Sequence, residues 1–128
     1  MFDCHKKIKQ TPDRLEVLGD GNQVKDFVFI DDVIDILVKY VINSKAVEGI
    51  FNVGSGKGTS IKELLEIFSN KTKFFGKVSY TGKSWVGDVQ KIYADITKVK
   101  NALKWEPKIN LNEGIEKTIN WLNLPYKF

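Results

Sequence analysis

The sequence predicts an α/β fold, and two segments carry most of that prediction. Residues 15–32, LEVLGDGNQVKDFVFIDD, run as strand, glycine turn, strand and acidic helix start. Residues 50–60, IFNVGSGKGTS, run as strand, glycine turn and helix start. Strands that alternate with helices in this way are typical of α/β proteins. A length of 128 residues suits one domain with a modest core.

Composition places the chain among globular proteins. Hydrophobic residues make up 42% and charged residues 28% of the sequence, which is ordinary for a soluble domain. The sequence has no apolar run near the ~20 residues of a membrane span, and its first ten residues contain no apolar export signal. Cys4 is the only cysteine, which fits a reducing compartment. We therefore expect a cytoplasmic protein without a membrane partner.

The net charge of the chain is +4, and its positive charges come almost entirely from lysine, because Arg14 is the only arginine. Nucleic-acid readers depend on arginine for bidentate contacts to bases and phosphates. Scattered lysine is more typical of a solvated surface, so we expect no nucleic-acid partner. The alternative, a basic nucleic-acid binder, predicts steeply salt-dependent binding to duplex DNA.

The remaining elements follow from periodicity and turn residues. Asp31 and Asp32 open a helix through about Ser44, whose apolar residues wrap most of its circumference and therefore require partners on more than one side. Ser60 and Glu63 form a capping-box pattern. We predict a helical lead over 1–9, strands at 15–18, 26–30, 50–53 and within 71–80, a loop over 81–89, a short helix capped by Thr97, and a last helix over 112–122.

Two motifs favour structural over chemical interpretations. The turn from Gly54 to Gly58 fits neither the phosphate-loop spacing nor G-x-G-x-x-G, so a tight strand-to-helix turn is predicted. His5, the only histidine, lies beside Cys4 without other ligands at zinc spacing, so we expect no metal site.

The three tryptophans are predicted as core or domain-face anchors. Trp85 is the exception, because it sits in the polar loop KSWVGD. A large aromatic residue in such a loop has to cover a ligand or another domain.

Four pieces in order resemble one family: GDGNQVKDFVFIDDV, IFNVGSG, WVGDVQKIYADITKVKNALKWEP and LNEGIEKTINWL. They resemble the C-terminal half of an NAD-dependent sugar-nucleotide epimerase/dehydratase of the extended short-chain dehydrogenase class. The resemblance implies that residues 1–128 form a single C-terminal substrate-binding domain, including edge strands of the Rossmann sheet, and that the NAD-binding half is absent.

The resemblance also implies a set of substrate-binding residues. Lys25 stands where the family usually has an arginine that meets the nucleotide diphosphate, and the strand at Glu16, Val17 and Leu18 presents its backbone to the base. Asp88 matches an aspartate that bonds the ribose or holds its loop. A phosphate-binding arginine position falls on Trp85, and Lys83 is its expected substitute.

The catalytic parts of the family are not found in this sequence. It lacks a G-x-x-G-x-x-G turn and a Y-x-x-x-K pair, whose tyrosine would be the general acid/base. We assign no catalytic residue and expect this chain alone to bind no NAD, which is the cofactor of the parent enzyme. Expected partners are a nucleotide diphosphate sugar and either a second copy or a Rossmann half. The alternative is a stand-alone, non-enzymatic binding or assembly module.

Overall fold

The computed structural model describes residues 1–42, 48–83 and 86–125. Helices and strands are interspersed along this part of the chain, in keeping with the predicted α/β class. Within it, no helix is long and apolar enough to cross a membrane. The elements are α1 (Phe2–Gln10), β1 (Arg14–Val17), β2 (Val24–Asp26), α2 (Ile30–Ile42), β3 (Gly58–Ser60), α3 (Ile61–Thr72), β4 (Lys77–Tyr80), α4 (Thr97–Leu103) and α5 (Leu111–Leu122).

The chain forms two compact units. The first consists of residues 1–23, 60–90 and 115–128, and the second consists of residues 24–59 and 91–114. Each unit has its own buried cluster and its own short sheet, and each is therefore described separately.

In the first unit, β1 pairs in parallel with β4, with Leu15 opposite Val78. Leu15 is fully buried and packs with Leu65 and Phe74. The α3 helix contributes to this core because its apolar residues recur at helical spacing. Its start follows the predicted capping pattern, since the Ser60 hydroxyl accepts a hydrogen bond from the Glu63 N–H at 3.1 Å.

In the second unit, β2 pairs with β3, and Trp105 forms the centre of a cluster with Ile36 and Val99. Trp105 is thus a core residue, as predicted. Asp32 is buried, and its carboxylate accepts hydrogen bonds from the N–H groups of Lys108 and Ile109, both at 3.0 Å. This aspartate ties the chain before α5 to the start of α2.

Two predicted strands are wrong in their placement. The strand expected at 26–30 is observed as β2, which ends at Asp26, and Ile30 already begins α2. Residues 50–53 form no strand, and the strand lies further on, at β3. Ile50 is 88% exposed. An apolar run becomes a strand only where a neighbouring strand supplies hydrogen bonds, and the described residues place none beside this segment.

Helix ends differ in smaller ways. Thr97 is the first residue of α4 rather than its cap, and its N–H donates to the Asp95 carboxylate at 2.9 Å. The predicted end of α2 at Ser44 lies outside the described residues.

Candidate functional site

The carboxyl end of β1 is joined to the loop that follows β4. The Thr81 N–H donates to the Val17 carbonyl at 3.0 Å, and the Gly19 N–H donates to the Lys83 carbonyl at 2.9 Å. Gly19 has a φ of +82°, and a Cβ there would stand 1.9 Å from the Gln23 side chain. A glycine is therefore required at this turn. These contacts bring the predicted residues Val17 and Leu18 together with Lys83.

One edge of β1 remains open. Backbone polar groups in a strand point alternately to its two edges. Because the Val17 carbonyl and the Gly19 N–H face the β4 side, those of Glu16 and Leu18 face the opposite edge. Within the described residues, β1 has no second strand neighbour. The open edge thus offers donors and acceptors to a flat ligand.

The surroundings of this open edge favour Leu18 as the contact point. The Glu16 carbonyl accepts a long hydrogen bond, at 3.3 Å, from the Lys7 ammonium. Leu18 is 62% exposed, so its backbone can be approached from solvent. The Lys83 side chain is also exposed. The arrangement can bind a planar hydrogen-bonding group along the strand and an anion near the lysine.

The other predicted substrate-binding residues are placed differently. Lys25 lies on β2 in the second unit and is half-buried. Asp88 lies in the first unit, in the loop after β4, and is also half-buried. Neither residue is free of partners. Trp85 lies outside the described residues. The roles assigned to these three residues remain predictions.

Sequence reasoning missed a heavily hydrogen-bonded side chain of the second unit, Asp26. Its Oδ1 accepts from the Ser55 N–H at 2.7 Å and from the Ser55 hydroxyl at 2.6 Å. Its Oδ2 accepts from the N–H groups of Gly56 and Ala94, both at 3.1 Å. One carboxylate thus joins β2 to the glycine turn and to the chain before α4. The available signal was an acidic residue at a strand end beside a glycine turn whose N–H groups need acceptors.

These hydrogen bonds set the charge state of Asp26. Burial by itself would raise the pKa of this carboxyl. The bonds from Ser55, Ala94 and Gly56 favour the ionised form and outweigh burial, so the pKa lies below its ordinary value. Asp26 is therefore a fixed negative charge at neutral pH.

The same contacts test whether the glycine turn can hold the pyrophosphate of NAD. A phosphate cradle needs backbone N–H groups directed at the ligand. The N–H groups of Ser55 and Gly56 are already donated to Asp26. A Cβ at Gly54 would lie 2.6 Å from Asp26 Oδ2 and 2.8 Å from the Ala94 Cβ, so the turn is closely packed. The turn does not fit NAD, and the prediction of a tight structural turn agrees with this geometry.

Replacing Asp26 by asparagine should destabilise the fold. The amide NH₂ would meet N–H donors in place of a carboxylate oxygen, so we expect a loss of about 2 kcal/mol in the free energy of unfolding at neutral pH. The native-state pKa is lowered, so this stabilisation is complete above the unfolded-state aspartate pKa and disappears as pH falls through the folded-state value. Urea unfolding at about pH 7 and about pH 3 measures both effects.

Asp95→Asn is the matched control, because Asp95 is exposed and is bonded only locally, to Thr97. It should cost clearly less than Asp26→Asn. Equal losses in the two variants, or a difference between wild type and Asp26→Asn that does not shrink in acid, would contradict the role given to Asp26.

Comparison with known proteins identifies relatives over nearly the whole chain. The profile of the family described as GDP-mannose 4,6 dehydratase matches residues 2–118. A Methanocaldococcus jannaschii protein, provisionally named UDP-glucose 4-epimerase, is 41% identical over 106 residues, which are 83% of this chain and 33% of that protein. The chain spans about a third of the length of the curated relatives it matches.

Crystal structures show the same fold. The UDP-glucose 4-epimerase of Thermotoga maritima with UDP-glucose has a TM-score of 0.81 and 30% identity, and the match covers 94% of this chain and 38% of that one. The UDP-glucuronic acid 4-epimerase of Bacillus cereus, in complex with UDP-glucuronic acid and NAD, has a TM-score of 0.84 and 26% identity, with 98% and 40% covered. The family predicted from the four sequence pieces is confirmed.

Proposed function

Because the chain belongs to the GDP-mannose 4,6-dehydratase family, among the NAD-dependent sugar-nucleotide epimerases and dehydratases, we propose that it binds a nucleotide diphosphate sugar. The observation that carries this proposal is the open edge of β1 beside Lys83. Residues 1–128 act as the substrate-binding portion of an enzyme whose NAD is held elsewhere.

The nucleotide base pairs with the open strand edge, where Leu18 offers both a donor and an acceptor. The diphosphate meets the ammonium group of Lys83, a point charge that binds phosphate without the bidentate geometry of arginine. Lys25 is proposed as a second phosphate contact, Asp88 as the ribose contact, and Trp85 as a cover over the ligand.

Leu18→Pro is expected to weaken UDP binding, because proline removes the N–H at the open edge and leaves the bonds of Val17 and Gly19 to the β4 side in place. Leu18→Ala keeps the N–H and is the matched control. Calorimetry with UDP should give a Kd about tenfold higher for the proline variant and a nearly unchanged Kd for the alanine variant. Lys83→Ala should also raise the Kd of UDP. The same calorimetric measurement with TDP and GDP, compared with UDP, identifies the preferred base.

Equal affinities of the proline and alanine variants would remove the β1 edge from the site. Unchanged affinity in Lys83→Ala would remove the phosphate role of that lysine.

We further propose that the 128-residue chain alone is catalytically inactive, since its sequence contains no Y-x-x-x-K pair and its glycine turn at 54–58 does not fit NAD. Purified chain given UDP-glucose and NAD should show no product by nuclear magnetic resonance. Turnover under these conditions would contradict the proposal. If adding a separately produced NAD-binding half of a relative restores turnover, the enzyme role is favoured over the alternative, a non-enzymatic binding or assembly module.

We also propose that a partner binds at the α2 helix. It buries Asp32 and Ile36, but an apolar stripe on it is exposed to solvent. The stripe consists of Ile30, Ile34, Leu37, Val38 and Val41, which are 58%, 50%, 59%, 47% and 80% exposed. Exposed apolar surface of this kind marks an interface. The proposed occupant is an NAD-binding half or a second copy of the chain.

Sedimentation equilibrium of the isolated chain should therefore show a mass above the 14.6 kDa monomer at about 100 μM, a concentration that reveals micromolar self-affinity. Leu37→Glu combined with Val41→Glu should restore the monomer, because charges would enter the contact. Phe75→Glu, which changes a 93% exposed apolar residue of the first unit, should leave the mass unchanged. A stable wild-type monomer would contradict self-association through α2.

A further inference from the structure

A cavity in the first unit is lined by none of the proposed nucleotide-binding residues. Its volume is about 750 Å³, and it lies among the ends of α1 and α3, the start of β4, and α5. This volume falls within the range of small-molecule sites, roughly 300–1,000 Å³. No part of the proposed nucleotide-sugar function uses it.

The walls of the cavity are largely apolar. Ile8, Phe74 and Ile119 line it, and Phe74 and Ile119 are only 8% and 6% exposed. His5 also lines it and is 7% exposed, with its Nε2 held 3.1 Å from the Asn123 Oδ1. The cavity therefore combines fixed apolar walls with one fixed polar ring.

The rim is positively charged. Lys9, Lys71, Lys73 and Lys77 line the cavity, and Asp13 is its only acidic residue. Lys71 is paired with Glu116. In the part of the chain that the structure describes, no ion pair or hydrogen bond engages the ammonium groups of Lys9, Lys73 and Lys77.

Not all of this charge is available to a ligand. Lys9 lies in the last turn of α1 and also balances the partial negative charge of that helix end. Lys73 directly follows the last residue of α3 and Lys77 begins β4, and the two lysines flank residues 74–76, which also line the cavity. These two lysines are the cations best placed to meet an anion.

We propose that this cavity binds a small organic anion, a phosphomonoester or carboxylate that carries an apolar group. The anionic head meets Lys73 and Lys77, and the apolar group lies against Phe74 and Ile119. An anion without an apolar group would leave the apolar walls in contact with water. A neutral apolar molecule would leave the lysine ammonium groups without an ion-pair partner. Both parts of the ligand are therefore required.

The test uses His5, which is the only histidine of the chain, so its Hε1 proton resonance reports on the cavity without ambiguity. Phenyl phosphate and benzoate are titrated separately, with inorganic phosphate and benzyl alcohol as half-ligands. A saturable shift is expected with at least one of the two anions, and the tighter one identifies the head group. The half-ligands should bind about tenfold more weakly or worse.

Lys73→Glu combined with Lys77→Glu should weaken the tighter anion at least about tenfold. The matched control is Lys104→Glu in the second unit, because Lys104 ends α4 in the same left-handed conformation, with φ of 48° against 54° for Lys73. That control should not change the affinity. If the double glutamate variant does not fold, Lys73→Gln with Lys77→Gln tests the same charges without reversing them.

Absence of a saturable shift with both anions, equal binding of benzyl alcohol, or unchanged affinity in the double variant would overturn the proposal. The anion titration that is followed through the His5 resonance should be unchanged in the presence of saturating UDP. It should also be unchanged in the Leu18→Pro variant. Failure of the nucleotide site and failure of this cavity are therefore distinguishable.

Discussion

Peptide N–H groups outside helices and strands must find other acceptors, and in the second unit two aspartates provide them. The observed sheet pairing is short, so loops carry much of the backbone. Asp26 accepts from Ser55, Gly56 and Ala94, and Asp32 accepts from Lys108 and Ile109. A buried peptide group without a partner costs about as much as a lost hydrogen bond. The loops of this unit therefore take their positions from carboxylates rather than from a large sheet.

The same requirement underlies the proposed ligand-binding edge of the first unit. β1 satisfies one edge through β4 and leaves the groups of Glu16 and Leu18 at the other. An open strand edge binds whatever presents complementary donors and acceptors. The turn at Gly19 keeps this edge short, since it directs the chain towards Lys83 instead of extending the strand. A short open edge beside a cation suits a nucleotide better than another strand.

Features that depend on nearby residues could be predicted from the sequence. The Ser60 cap, the glycine turn after β1 and the last helix all follow from residues within a few positions of one another. The strands predicted at 26–30 and 50–53 were wrong in their placement, because apolar composition predicts burial in a sheet but does not tell which strand supplies the hydrogen bonds. The Asp26 contacts join residues 29 to 68 positions apart, and over that separation the sequence indicates that the glycine turn needs an acceptor but not which residue supplies it.

The exposed stripe of α2 sets a limit on what can cover it. Burying one aliphatic side chain completely contributes about 1.5–3 kcal/mol to the free energy of association. The five stripe residues are already about half covered. Burying the remainder of one stripe would therefore contribute roughly 4–7 kcal/mol in total. Association of separate molecules costs an estimated 4–15 kcal/mol. A dimer of two copies buries two such stripes, roughly 8–14 kcal/mol, which is comparable to that cost, so the stripes alone support weak self-association and a tight complex needs more surface.

The segment at 50–53 can supply that additional surface. Its Ile50 is almost fully exposed, and its backbone has no strand neighbour among the described residues. A sheet offered by an NAD-binding half would satisfy this backbone and bury Ile50, provided that its surface also reaches the α2 stripe. If that half were tethered in the same polypeptide, the high effective concentration would remove most of the association cost. On these magnitudes, a sheet-bearing half is a better occupant of this surface than a second copy of the chain.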